Sequence, residues 1–467
     1  MKIPHWPIYT GPNKDFLTTV PRVKYILSQL GNPHLKLQNI IHITGTKGKG
    51  STALFISNIL IASGYKVNTY ISPHIYECNE RILLNGQPVT DAQLQEATEA
   101  VRLICEKHQT TTQQFDLLAN EPSMFEALTC SAFHVMSQNN ADFNVIEVGM
   151  GGLYDATNVF DDNPPLICVF TPIHIDHVKF LGNNVENVAW QKSFLIKPNV
   201  RYVVMSSQPQ EVQHLLLQVA QQNHVPTTLR YAKDYEVFCD NTNNTPVYES
   251  TTLDTCFPFA VPNMQGEYQW INASCAITTC LLLQNDGIIN NLTTTSINQG
   301  IHNTFNIVRM QPVPYGTLTK ILPTGSLFYM DGAHNQLAAH ALANWIQNFK
   351  QTHNTSDNTY TIYLAVARTK GADNIAFLQE FKQDNNNIID VLIATRANLE
   401  SIPEPPESIA LCGKALGFTT AIAYNITEVL QKVVYYHQVS NPTNRILLIC
   451  TGSLYIARDI MMANKSA

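Results

Sequence analysis

The chain has 467 residues, 45% of them hydrophobic, with 29 Lys and Arg against 36 Asp and Glu, a formal charge of −7. That length suggests two or three domains with sizeable cores, and the acidic balance argues against nucleic acid or an anionic membrane as a partner. No apolar run approaches the roughly eighteen residues of a membrane span, and the ten scattered cysteines, without a CxxC, read as buried free thiols of a cytoplasmic protein.

In chain order, the opening MKIPHWPIYTGPNKD lacks the apolar core of a signal peptide. The first strong pattern is Ile40-Ile41-His42-Ile43-Thr44-Gly45-Thr46-Lys47-Gly48-Lys49-Gly50-Ser51-Thr52, an apolar strand leading into a glycine-rich loop. A helix then follows, with Phe55, Ile56, Ile59 and Leu60 on one face and Gly64 as its stop. Strand, glycine loop and helix in that order build a phosphate cradle. Backbone N–H groups close on phosphate oxygens, the helix start adds positive potential, Lys49 neutralises the β/γ-phosphates, and Ser51 or Thr52 can reach Mg²⁺. A nucleoside triphosphate is the expected ligand.

Val67–Ile71 reads as a strand, Asp91–His108 as a helix capped by Thr90, and Met124–Gln138 as another helix. Phe143–Val148, Leu166–Thr171 and Arg201–Ser206 continue as strands, a spacing that predicts a mostly parallel sheet covered on both faces. The stretch 240–262 is expected to be irregular hairpins and loops, Gln269–Leu283 a helix, and Asn298–Arg309 a hinge. Beyond it, Leu327–Met330, Tyr360–Val366, Asn387–Ala394 and Arg445–Cys450 read as strands. Ala338–Phe349, Ile375–Gln383 and Thr427–His437 read as helices, with 351–358 and 402–408 as surface loops. The expected fold is α/β: a P-loop domain over 1–302 and a smaller Rossmann-like α/β domain over 303–467.

Functional groups in such sheets gather beyond the strands' carboxyl ends. Ser72 stands there, as do Glu147, followed by Gly149, Gly151 and Gly152, and the run His174, Asp176 and His177. A hydroxyl, a carboxylate and an imidazole at one sheet edge could complete a Mg²⁺ site with the nucleotide's phosphates. Glu147 is the stronger element, because a carboxylate inside an apolar strand is costly unless paired or metal-bound. Val185, Val188, Lys192 and Leu195 share one helical face, so Lys192 is either buried, with a lowered pKa and a reactive amine, or a lysine whose ammonium snorkels to water. Periodicity alone favours snorkelling. In the second domain, Asp331-Gly332-Ala333-His334-Asn335 ends a strand and opens a helix, and Arg309 lies at the hinge. Asp331 and Asn335 have helix capping as the bland alternative, but capping alone needs only one of them, so a functional role is favoured.

Together these residues resemble the folylpolyglutamate synthase/dihydrofolate synthase family, a branch of the Mur-ligase-like ATP-dependent amide ligases, from about Phe16 to Gly452-Ser453. The resemblance rests on Gly45–Ser51, Ser72-Pro73-His74, Asn79–Ile82, Glu147–Gly152 with Asp155–Asn158, Asp176-His177, Ala189–Lys197 and Asp331–Asn335. It implies ATP bound by Gly45, Thr46, Lys47, Gly48, Lys49, Gly50, Ser51, Thr52, Asn272, Arg309 and Asp331, with Gln269 beside the adenine. It implies two Mg²⁺ ions, with Ser51, Ser72, Glu147, His177 and a carbamylated Lys192 as ligands. Lys49, Lys192 and His334 are the implied catalytic residues. Pro122, Ser123, Phe125, Glu126, Tyr154 and Asp155 are the implied substrate contacts.

The implied reaction phosphorylates a carboxylate with ATP, and the α-amine of L-glutamate then displaces phosphate. The substrates are dihydropteroate or reduced folates, and the family is usually monomeric. This chain departs at Lys47 (usually Asn), at Leu153-Tyr154 (usually an Arg), at Ile307-Val308-Arg309 (usually Pro-Gly-Arg) and at Tyr268 (usually His). The nucleotide and metal machinery is therefore kept while the folate-facing surface has drifted. Two other readings compete: a Mur-type amide ligase for a different carboxylate, and a P-loop nucleotide-binding protein without ligase chemistry.

Overall fold

The structure is a computed structural model, and it describes residues 16–109, 122–240, 242, 245–264, 266–305, 308, 310–354, 359–383, 386–398, 402–440 and 442–465. The chain divides into two compact units, Met1–Asn263 with Glu267–Phe305, and Met264–Gly266 with Asn306–Ala467. The division after Phe305 falls three residues beyond 302, where the sequence places the end of the first domain.

The first unit is built on an eight-stranded sheet. Its spatial order is Gln87–Pro88, Ile82–Leu84, Val67–Tyr70, Phe143–Glu147, Ile40–Thr44, Ile167–Phe170, Tyr202–Met205, Thr227–Arg230. Only the Ile82–Leu84 and Gln87–Pro88 strands at one edge run antiparallel to their neighbours. The central strands are buried on both faces, which is why they read as largely apolar runs, interrupted by His42, Asn144 and Glu147, rather than alternating ones. Chain order reverses about Ile40–Thr44, so the loop after it opens between the ends of Phe143–Glu147 and Ile167–Phe170. On one side, Thr19–Gln29, Asp91–Gln109 and Met124–Gln138 pack on a core of Val23, Ile26, Leu27, Tyr70, Val101, Phe133, Met136 and Phe160. A second core, around Cys168, Phe170, Val188, Leu195, Val203, Met205 and Leu216, seats the helices Val185–Ser193 and Gln210–Gln222.

The helix after the glycine loop, Lys49–Ala62, is buried nearly all round rather than on one face, because Tyr268–Asn285 and Thr294–His302 pack along it. The second unit carries a six-stranded sheet, ordered Gln311–Pro312, Leu327–Met330, Arg445–Thr451, Tyr360–Ala367, Val391–Thr395, Thr420–Ile422, parallel apart from its first strand. Its core gathers Leu342, Ile346, Ile362, Leu364, Phe377, Leu392, Leu447 and Ile449.

Several sequence expectations change. The stretch 240–262 belongs to a regular antiparallel sheet of Glu236–Asp240, Thr245–Ser250 and Thr255–Pro258, whose central strand alternates partly buried with buried positions. Residues 298–302 are not hinge but the end of the helix Thr294–His302, which buries Ile297, Gly300 and Ile301 behind polar neighbours. The helix at 375–383 stops at Gln379, because Lys382–Gln383 turns back to pair with Asn386–Asn387, and the strand begins only at Val391. The 402–408 loop ends early: Pro406 opens the helix Pro406–Ala415, at a position where a missing N–H costs nothing. All ten cysteines are free, as expected. No described helix is long and apolar enough to cross a membrane.

Candidate active site

The glycine loop is braced from beneath. Thr44 Oγ1 donates to Gly151 O at 2.9 Å, Thr46 N donates to Pro172 O at 2.9 Å, and Thr46 Oγ1 both donates to His174 O and accepts from His174 N at 3.0 Å. The helix Lys49–Ala62 starts at Gly48, whose φ of 82° suits glycine, and a Cβ there would lie 2.4 Å from Asn272 Oδ1. The N-cap Gly48 has no side chain to cap this helix, which leaves the positive potential of its first turn facing the loop, as an anion site requires. Asn272 donates to Gln269 Oε1 at 3.0 Å, and both side chains are buried at the helix start, where the sequence expects them beside the nucleotide. Ser51 and Thr52 are buried, and Thr52 Oγ1 has no hydrogen-bond partner.

Glu147 ends its strand in register with Ile43 and is 3% exposed, and its Oε2 accepts from Ser72 N at 2.8 Å. The structure thus brings Ser72 and Glu147 together beside the loop. His177 lies on a turn beside Asp176, its side chain 54% exposed, with a left-handed φ of 47°. A non-glycine residue held in that conformation commonly marks a functional turn. Among the described residues no group of three or more His, Cys, Asp or Glu is arranged to hold a metal unaided. The donors present, two serine hydroxyls and a carboxylate, suit Mg²⁺, which usually takes few protein ligands and completes its shell with phosphate and water.

Lys192 overturns the snorkelling expectation. It is 3% exposed, and Nζ donates to Gly45 O at 2.9 Å, so the amine reaches the phosphate loop rather than water. Burial, followed by the charge of Lys49, lowers its pKa to about 7 from 10.5. Gly152 makes this approach possible: a Cβ there would stand 2.5 Å from Gln191 O and 2.9 Å from Lys192 Cα. Leu153 N then donates to Gln191 O at 2.9 Å, fastening the loop to the last turn of the Val185–Ser193 helix.

The expected substrate contacts divide. Ser123 caps the helix Met124–Gln138, accepting from Glu126 N. Glu126 is not available to substrate: its side chain is 1% exposed, Oε1 pairs with Arg22 at 2.7 Å, and Oε2 accepts from Ser123 N. Pro122 is buried. Phe125 lies against Gly149, stacks on Tyr70 at 6.3 Å, and has the Arg81 guanidinium 6.0 Å from its ring centre. Tyr154 is half-buried. Asp155 is buried and braces its own loop, accepting from Met150 N at 2.8 Å and from Thr157 Oγ1 at 2.6 Å, and burial raises its pKa.

In the second unit, Asp331 Oδ2 accepts from Met310 N at 2.9 Å and Oδ1 from Ala333 N at 2.9 Å, while Asn335 caps the helix Gln336–His353. Both residues thus have backbone work, which accounts for their joint presence without a ligand. His334 is exposed, with Nδ1 2.8 Å from Gly332 O. Arg309 lies outside the described residues.

Sequence reasoning missed three buried polar groups. Arg22 lies on the apolar stripe of Thr19–Gln29, the signal that exposed Lys192. Arg368, directly after the strand Tyr360–Ala367, donates to His334 O at 2.6 Å and to Asn374 Oδ1 at 3.2 Å, and its guanidinium lies 4.2 Å from the Phe377 ring centre. A charge at a strand's carboxyl end could have flagged it. His42 had no such signal.

Comparison with known proteins identifies the family. Residues 43–280 match the family model of the Mur ligase middle domain, and residues 318–463 match that of the dihydrofolate synthetase C-terminal domain. A dihydrofolate synthase/folylpolyglutamate synthase of Bacillus subtilis is 28% identical over 94% of this chain and 93% of its own length. A human mitochondrial folylpolyglutamate synthase is 32% identical over 74% of this chain and 62% of its own. The crystal structure of a folylpolyglutamate synthase from Thermotoga maritima superposes with a TM-score of 0.75 at 25% identity, covering 96% of this chain and 94% of that one. The chain belongs to the folylpolyglutamate synthase/dihydrofolate synthase family of Mur ligases.

Proposed function

We propose that this chain joins L-glutamate to dihydropteroate or a reduced folate, with ATP activating the carboxylate as an acyl phosphate. The observation that carries the reading is the position of Lys192, buried against Gly45 O in the phosphate loop. A protein that only bound nucleotide could brace that loop with a neutral side chain, without the cost of desolvating an amine.

Phosphoryl transfer depends on positioning and on neutralising charge. The uncapped helix start at Lys49 and the loop N–H groups seat the triphosphate, and the Lys49 ammonium offsets its charge. Gln269 and Asn272 stand at the start of their helix to hold the base. Ser51, Ser72, Glu147 and His177 would hold one Mg²⁺, and Lys192, carbamylated by CO₂ on its neutral amine, would hold a second. Bound Mg²⁺ neutralises phosphate oxygens and polarises the transferring group. A carboxylate is a poor electrophile because its leaving group is oxide. Once phosphorylated, it loses phosphate instead when the glutamate amine attacks the carbonyl carbon.

Phosphate release tests the reading, measured with dihydropteroate, tetrahydrofolate or neither, each with glutamate and ATP. Glutamate-dependent release with either pterin is expected. Release only with another carboxylate would move the chain to a different amide ligation, and no release with any carboxylate would leave nucleotide binding alone.

A further inference from the structure

The strand Ile40–Thr44 carries a histidine three residues before Gly45 of the phosphate loop, and the reaction described above gives it no task. His42 is fully buried in the first unit, its ring edge-on to Phe160 at 5.7 Å. Its Nε2 lies 2.9 Å from Thr157 Oγ1. Thr157, also fully buried, uses its single hydroxyl proton toward Asp155 Oδ1 at 2.6 Å. His42 must therefore donate through Nε2–H, and Nδ1 is left as the bare nitrogen, buried and without a partner. Burial, with the charge of Lys197, lowers the imidazole pKa to about 3, which keeps the ring neutral and its single donor fixed.

The chain of bonds continues past Asp155. Oδ1 also accepts from Thr157 N at 3.0 Å, and Oδ2 accepts from Met150 N at 2.8 Å. Thr44, on the same strand face as His42, donates to Gly151 O. The loop 149–158 is thus hung from one strand at two points. Its other side presses through Gly152 onto the backbone at Gln191 and Lys192 and bonds through Leu153. Lys192 closes the circuit by donating to Gly45 O, the residue after that same strand.

We propose that His42, Thr157 and Asp155 are positioning residues. They form a buried relay that clamps the 149–158 loop onto the helix turn bearing Lys192 and so holds the Lys192 amine at the phosphate loop. The inference deepens the ligase reading and rests on Lys192 having a role there. Hydroxyl, carboxylate and imidazole are each needed as types: the threonine must accept and donate at once, the carboxylate must take two backbone N–H groups, and the imidazole must donate from an apolar wall.

The test compares Thr157→Val, which removes both side-chain bonds at nearly constant shape, with Thr157→Ser, which keeps them. Two quantities are read on the full chain. One is the rate at which Lys192 is labelled by an amine-reactive acylating reagent without substrates, followed by peptide mass spectrometry. The other is the split between kcat and the ATP dissociation constant. Thr157→Val should speed Lys192 labelling at least about tenfold and cut kcat about 10–100-fold, the usual effect of losing an outer-shell partner, with ATP affinity within about twofold. Thr157→Ser should restore both. If Thr157→Val fails to fold, His42→Phe, which keeps the ring but loses the donor, is read against His42→Gln by the same two measures. Labelling and kcat at wild-type levels in the donor-less variant would overturn the proposal, as would an equal loss in the Ser or Gln variant. The labelling rate needs no ligase activity, so the relay can fail while the wild-type protein still releases phosphate with glutamate, and the reverse.

Discussion

Replacing Gly152 by alanine isolates the contact on which the Lys192 geometry depends. The added Cβ would stand 2.5 Å from Gln191 O and 2.9 Å from Lys192 Cα, both backbone atoms of one helix turn, and neither can swing aside. Ordinary carbon–oxygen contacts begin near roughly 3.3–3.6 Å, so the turn must retreat by about 1 Å. Overpacking of this kind costs about 1–3 kcal/mol, or about 2 °C of unfolding midpoint for each kcal/mol in a unit of this size. The functional effect should be larger than the structural one. A 1 Å retreat stretches the 2.9 Å bond from Lys192 Nζ to Gly45 O beyond hydrogen-bonding length, and a displacement of about 1 Å at a reacting centre can cost about 10²-fold. Steady-state phosphate release, ATP titration calorimetry and a thermal melt on the same preparation separate the two effects. The expected outcome is a small fall in melting midpoint, near-normal ATP affinity and a kcat lowered by about two orders of magnitude. A Gly152→Ala protein with wild-type kcat would refute the argument that this close approach places Lys192.

Further outcomes follow from neighbouring groups. Lys192→Ala should abolish turnover while ATP binding stays measurable, and retained turnover would remove the carbamate. Because burial and Lys49 bring the Lys192 pKa down to about 7 from 10.5, its neutral amine grows between pH 6 and pH 8; turnover in bicarbonate should rise through about pH 7 and level above it, whereas an unshifted lysine would keep rising toward pH 10. Lys49→Ala should weaken ATP binding itself by about tenfold or more, seen by calorimetry, since one unit charge at the phosphates is worth over about 1 kcal/mol. Glu126→Gln leaves the Arg22 guanidinium buried without its counter-charge and should cost about 3–5 kcal/mol of stability, read as a fall in melting midpoint, with KM for the folate substrate unchanged. A raised KM at unchanged stability would return Glu126 to the substrate surface.

The parts of the fold visible in the chain were those whose cause is local. A parallel strand buried on both faces must be largely apolar, so Ile40–Thr44, Phe143–Glu147 and Ile167–Phe170 declared themselves, and Glu147 stood out as the one carboxylate among them. The glycine loop was legible for the same reason: its backbone conformation dictates its residues. What stayed hidden depends on distant partners. Helical spacing put Lys192 on an apolar face, but only Gly45, 147 residues earlier, decides that its amine is held inside rather than led to water. Arg22 and Glu126 are 104 residues apart, and neither one's position in the chain shows that the other is its partner. His42 is one more buried strand position until Thr157 is seen beside it. Thr294–His302 was missed as a helix because threonine, serine, asparagine and glutamine dilute its period.

The central claim is that ATP activates the substrate's carboxylate before glutamate attacks, and oxygen bookkeeping tests it most directly. Dihydropteroate or a reduced folate with both oxygens of the reacting carboxylate replaced by ¹⁸O would be turned over with ATP and glutamate, and the released phosphate weighed by mass spectrometry. An acyl phosphate hands its bridging oxygen to the leaving group, so one ¹⁸O should appear in each inorganic phosphate formed. Phosphate free of label, released in step with amide formation, would contradict the account.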